Sequence, residues 1–103
     1  MDQQNKKQIF LKIISDFLEN LTTEEYIRST LLIGKEKVEK NIQDPIDEAR
    51  TLYQNINTIC LVEKIKLNPK AQKALDDLNS LSMRKGLFGN LNAWNTINTF
   101  GGN

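Results

Sequence analysis

The chain has 103 residues, a net charge of +1, 39% hydrophobic and 26% charged residues, a balance that predicts one small globular domain over residues 1–103 rather than a disordered chain. Near-neutral charge gives a nucleic-acid partner no electrostatic footing, and the apolar runs Leu31 to Ile33 and Thr58 to Val62 are far short of the roughly 20 residues that cross a bilayer. A single cysteine, Cys60, and no histidine point to a reducing compartment and remove the commonest proton shuttle and metal ligand.

The first element is predicted from about Gln4 to Asn20, where Phe10, Ile13, Ile14, Phe17, Leu18 and Leu21 recur at three and four residues, the stripe of an amphipathic helix. Its lysines precede no continuous apolar stretch, because Lys12 and Asp16 interrupt it, so no secretory signal is expected. A second helix is expected to start at Thr22-Thr23-Glu24-Glu25, with Thr22 and Glu25 as a reciprocal capping box. Its apolar positions are Tyr26, Ile27, Thr30, Leu31, Ile33 and Val38, and Glu36 with Lys40 makes a pair one turn apart. Gly34 weakens its predicted continuity.

Asp44-Pro45 and Asn68-Pro69 each place a side-chain acceptor before a proline whose missing N–H is harmless in a first turn. They start a third helix, with Ile46, Ala49, Leu52, Tyr53, Ile56, Ile59, Cys60 and Val62 or Glu63 on a broad apolar face, and a fourth with Ala71, Ala74, Leu75, Leu78, Leu81 and Met83. The fourth is expected to stop at Arg84-Lys85-Gly86, cations at the negative end of the dipole followed by glycine. Short loops between four such helices predict an all-α, antiparallel up-down four-helix bundle over about residues 4–85.

From Gly86 to Asn103 no residue is charged, yet this segment holds the only Trp, two of the four Phe and five Asn. Leu87, Phe88, Leu91, Ala93, Trp94, Ile97 and Phe100 are broken up by Gly and Asn, which disfavour a regular helix. The expectation is an irregular C-terminal tail, 86–103, partly docked through its aromatic side chains. It either closes the bundle or anchors a partner, for which aromatics in neutral, adaptable segments are suited. Just before it, residues 64–85 hold six basic groups (Lys64, Lys66, Lys70, Lys73, Arg84, Lys85) against Asp76 and Asp77. They are either solvated helix faces or a mildly basic surface for a peripheral contact with an anionic membrane. The partner-binding candidates are therefore Lys73, Arg84, Lys85, Phe88, Leu91, Trp94, Ile97 and Phe100.

Catalytic chemistry is not expected. Cys60 lies on an apolar stripe with no histidine to activate it, the carboxylates Asp44, Asp47, Glu48, Asp76 and Asp77 suit caps and solvated faces, and Gly86-Leu87-Phe88-Gly89 follows a helix and lacks the ending of a phosphate loop. No cofactor, metal or small-molecule substrate is called for.

The stretches EARTLYQNI, CLVEKIKL, KALDDLNSL, then KG and NAWNTINT resemble the immunity proteins of class IIa (pediocin-like) bacteriocins, nearest the pediocin and enterocin A immunity branch. The likeness covers just over half the chain in residue detail, with the segment after Lys85-Gly86 its most discriminating part, while the first forty residues match only in amphipathicity. The resemblance implies a cytoplasmic four-helix bundle that protects a Gram-positive bacterium from a membrane-permeabilising peptide. It further implies action from inside the cell on the mannose phosphotransferase membrane components that serve as bacteriocin receptor, with specificity in the C-terminal half. The alternative is a non-catalytic cytosolic adaptor or antitoxin-like module that binds a soluble protein.

Overall fold

Where apolar side chains recur once per turn, the chain forms helices: α1 Gln3–Glu19, α2 Glu25–Glu39, α3 Pro45–Glu63 and α4 Pro69–Ser82. The computed structural model describes residues 3–84; Lys85, Gly86 and the uncharged tail, whose partial docking is an expectation from sequence, lie outside them. α1 packs against the other three helices and α3 against both α2 and α4. Hydrogen bonds tie the ends in antiparallel order. The Lys7 ammonium at the start of α1 donates to the Glu39 carbonyl at the end of α2, Asn68 at the start of α4 donates to the Asn20 carbonyl after α1, and Arg50 near the start of α3 donates to the Ser82 carbonyl closing α4. The arrangement is the expected up-down bundle.

The two proline starts form as the local chemistry dictates. The Asp44 carboxylate accepts from the N–H groups of Ile46 and Asp47 at 2.9 and 3.2 Å, and the Asn68 side-chain oxygen accepts from the Ala71 N–H at 2.8 Å, satisfying donors that no helix can satisfy internally. The start of α2 differs from the predicted capping box. Glu24 is the N-cap and makes no side-chain cap bond; its carboxylate instead accepts from the N–H groups of Thr22 and Thr23 at 2.9 and 3.1 Å. Glu24, one residue earlier than predicted, is the residue that reaches back. These bonds hold its carboxyl below the usual range, with the Thr22 N–H the largest cause and slight burial opposing. The Glu36–Lys40 pair forms as expected, at 2.7 Å.

The core is built from Phe10, Ile13, Ile14, Phe17 and Leu21, then Ile27, Leu31 and Val38, then Ile46, Ala49, Leu52 and Ile56, then Leu67, Ala71, Ala74, Leu75, Leu78 and Leu81. Four predicted apolar positions are instead exposed: Tyr26, Ile33, Val62 and Met83. Val62 lies beyond Ile56, the last buried position of α3, and Met83 is the C-cap of α4, past its last helical residue.

Gly34 does not interrupt α2, which is continuous and buries it. A Cβ added there would lie 2.8 Å from Glu48 Oε2 and 2.8 and 2.9 Å from the two terminal methyls of Leu52. Glycine is thus the residue that lets α2 approach α3. Gly34→Ala sets a helix-propensity gain of about 1 kcal/mol against overpacking of two buried side chains, which costs about 1–3 kcal/mol. The expected result is a net loss of about 1 kcal/mol in urea unfolding, reduced when Glu48→Ala removes one of the clashing groups. A Gly34→Ala protein more stable than the parent would show that the seam has room.

Candidate functional site

The structure separates the candidate residues of the fourth helix. Lys73 is exposed and its ammonium sits 2.9 Å from the Asp77 carboxylate one turn on, so its charge is met within α4. It lines an open cleft of about 340 Å3 between α1 and α4 with Asp16, Asn20, Lys70, Ala74 and Asp77. Arg84, by contrast, is only 6% exposed, and its Nε donates to the Ser80 carbonyl at 3.4 Å. Burial pushes its guanidinium down to about 10, with Asp77 opposing. Arg84 is therefore withdrawn from the solvent-facing basic surface to which its sequence position assigned it. Lys85, Phe88, Leu91, Trp94, Ile97 and Phe100 lie outside the described residues.

Sequence reasoning overlooked Glu48. Its place in the first turn of α3 suggested an ordinary acidic residue near a helix start, yet it is 2% exposed and its Oε1 has no hydrogen-bond partner. The other carboxylate oxygen faces the surface of α2 that Gly34 leaves open. Burial pushes the carboxyl up, and the positive charge of Lys37 and the side chain of Gln43 pull the other way. The available signal was the pairing of a mid-helix glycine with a carboxylate on the apolar side of the next helix, but only helix packing brings the two together.

The sign of the resulting pH dependence follows from proton counting. A carboxyl whose folded value is raised binds more protons folded than unfolded between the ordinary glutamate value of 4.5 and the raised one. Its contribution to stability therefore falls as pH rises through that window and is lowest above it. Glu48→Gln is expected to stabilise the protein at neutral pH by about 1–2 kcal/mol, because a buried charge with one oxygen unpartnered costs more than a buried neutral amide. The advantage should shrink as pH falls toward the ordinary glutamate value. Urea unfolding of both proteins across that range checks this, and a variant less stable than its parent at neutral pH would mean that attraction to Lys37 outweighs desolvation.

On the outer side of the same seam, Tyr26, Thr30, Thr58, Ile59, Val62 and Glu63 line an open groove of about 330 Å3. Tyr26 and Val62 are among the most exposed large apolar residues described. Cys60 is half-buried rather than deeply buried; burial first, and the Glu24 charge second, push its thiol up, which keeps it protonated at neutral pH and poorly nucleophilic. Among the described residues no three His, Cys, Asp or Glu side chains gather where a metal ion could be held, and no helix is long and apolar enough to cross a membrane. What the described surface offers is contact area: an apolar groove, and a corner between α3 and α4 where Lys64, Lys66 and Lys70 are exposed.

The helices carry a family relationship. The chain is 30% identical over 76 residues to the pediocin PA-1 immunity protein of Pediococcus acidilactici, a match that spans 74% of this chain and 68% of that protein. The model of the bacteriocin immunity protein family matches residues 4–83. That match takes in all but the first residue of the four-helix region and ends before the aromatic segment that the sequence singled out as most discriminating, so the packed helices suffice to reveal the relationship. This chain belongs to the bacteriocin immunity protein family.

Proposed function

We propose that the chain protects its cell from a class IIa bacteriocin, working without catalysis from the cytoplasm on the bacteriocin-occupied membrane receptor, the membrane components of the mannose phosphotransferase system. The observation that carries this reading is the family match over residues 4–83, joined by the likeness to a protein named for immunity to pediocin PA-1. The third and fourth helices and the tail, with Trp94 as the first anchor to test, supply the recognising surface, with Lys85 contributing charge and Lys73, exposed but paired with Asp77, contributing contact area beside it. Arg84, being buried, acts by holding the end of α4 rather than by meeting the partner.

The test is expression in a sensitive lactic-acid bacterium challenged with a panel of class IIa bacteriocins. Protection against one or a few members is expected, and protection against none would remove the proposal. The alternative, a cytosolic adaptor or antitoxin-like module, draws on the groove beside Tyr26 and Val62, which could seat an apolar segment of a soluble protein. Capture of a specific partner from the cytosolic rather than the membrane fraction, without protection, would favour it.

A further inference from the structure

The corner between α3 and α4 combines charge and exposed apolar surface in a way that the fold itself does not use. Beyond Glu63 the chain alternates: Lys64 and Lys66 are exposed while Ile65 is half-buried and Leu67 is buried. This period of two turns both lysines outward and both aliphatic residues inward. Lys70 follows in the first turn of α4, which contains no acidic residue. A cation gains nothing from a helix dipole at that end, so Lys70 adds to a local positive potential instead of stabilising its helix.

Elsewhere Lys6, Lys12, Lys35, Lys40, Arg50 and Lys73 each lie within 4.0 Å of a carboxylate, whereas among the described residues Lys64, Lys66 and Lys70, like the dispersed Lys7, Arg28 and Lys37, make no such pair. Immediately before them, on the last turn of α3, Leu61 and Val62 are 72% and 69% exposed. Apolar side chains flanked by unpaired lysines on long aliphatic stems match the layering of a bilayer surface, with headgroup charge outside and acyl chains beneath.

We propose that this corner is a docking surface for a membrane containing anionic phospholipid. Lys64, Lys66 and Lys70 meet the headgroup phosphates, and Leu61 and Val62 enter the interface between them. Charge complementarity favours the lipid, and the exposed aliphatic pair favours it over an acidic polypeptide, which would leave that pair in water. Glu19, Glu24 and Glu25 lie at the same end of the bundle, at the close of α1 and the start of α2, and Glu63 lies beside Val62. Their charge opposes the contact, so binding requires that the three lysines meet the headgroups ahead of these carboxylates. This deepens the membrane-facing part of the proposed function by naming the surface that touches the bilayer.

Co-sedimentation of the full chain with vesicles of phosphatidylcholine alone, or of phosphatidylcholine mixed with phosphatidylglycerol, tests the proposal. The parent is expected to bind the mixed vesicles only, and less as salt rises. Each lysine near such a surface is worth about fivefold in partitioning, so Lys64→Gln, Lys66→Gln and Lys70→Gln together should weaken binding about a hundredfold. A control with the same net charge, Lys12→Gln, Lys35→Gln and Lys40→Gln together, should lose less than about tenfold. Leu61→Ser with Val62→Ser should weaken binding severalfold at unchanged charge. All these residues except Lys35 are exposed and Lys35 is half-exposed, so the variants should keep the cooperative unfolding of the parent, measured alongside.

No binding by the parent, equal losses in the two lysine triples, or no effect of the serine pair would overturn the proposal. So would equal retention by a polyglutamate matrix. The assay contains neither bacteriocin nor receptor, so a negative result here is separate from a negative result in the protection assay.

Discussion

Truncation after Gly86 is expected to abolish protection against the cognate bacteriocin while the remaining bundle still unfolds cooperatively, and Trp94→Ala should reproduce most of the loss. The physical basis is a division of labour along the chain. The buried apolar set runs from Phe10 to Leu81 and draws on all four helices, so the core as described is assembled before the tail begins. The tail carries the only Trp and no charge, the composition of a segment that gains by covering apolar surface. Parallel measurement of urea unfolding and of survival under challenge separates the outcomes. Full protection by the truncated protein would remove the tail from the mechanism, and loss of cooperative unfolding would make the tail part of the core.

Leu52→Ala should act in the opposite sense, lowering stability by about 2–5 kcal/mol through loss of buried methyl groups and the cavity they leave. Leu52 is 1% exposed and its terminal methyls fill the space beside Gly34. α2 already approaches α3 as closely as a glycine allows, so the site has little freedom to collapse around the missing side chain. Ile56, fully buried one turn on, should behave alike. Against a total of about 5–15 kcal/mol for an ordinary domain, such a loss leaves a measurable unfolded fraction. The urea midpoint should drop with little change in slope, and any loss of protection should be recovered at lower growth temperature. The truncated protein should not recover at any temperature. A Leu52→Ala cost below about 1 kcal/mol would show that the seam repacks.

These two expectations depend on the chain in different ways, as does what could be read from it. The starts at Asp44-Pro45 and Asn68-Pro69 were legible because a cap is satisfied within three residues, and no distant part of the fold can alter that need. The start of α2 was misread because Glu24 and Glu25 can both reach the preceding N–H groups, and local geometry chose Glu24. Tyr26 and Ile33 were misplaced because α2 has apolar residues on more than one side. Periodicity states that a stripe exists but not which edge of it a neighbour will cover.

The sequence by itself determined the helical class, the order of the four helices, most of the core and the likeness to an immunity family, since these depend on residue type and on spacing within one or two turns. Only the tertiary structure decided that Gly34 is a contact point, that Glu48 is buried with an unpartnered oxygen, that Arg84 leaves the surface and that Lys64, Lys66 and Lys70, following the exposed Leu61 and Val62, have no carboxylate partner among the described residues. The physical reason is that burial and ion pairing are properties of the space between helices. That space is set by which faces meet and how closely, and neither quantity is encoded in the spacing of residues along a single helix.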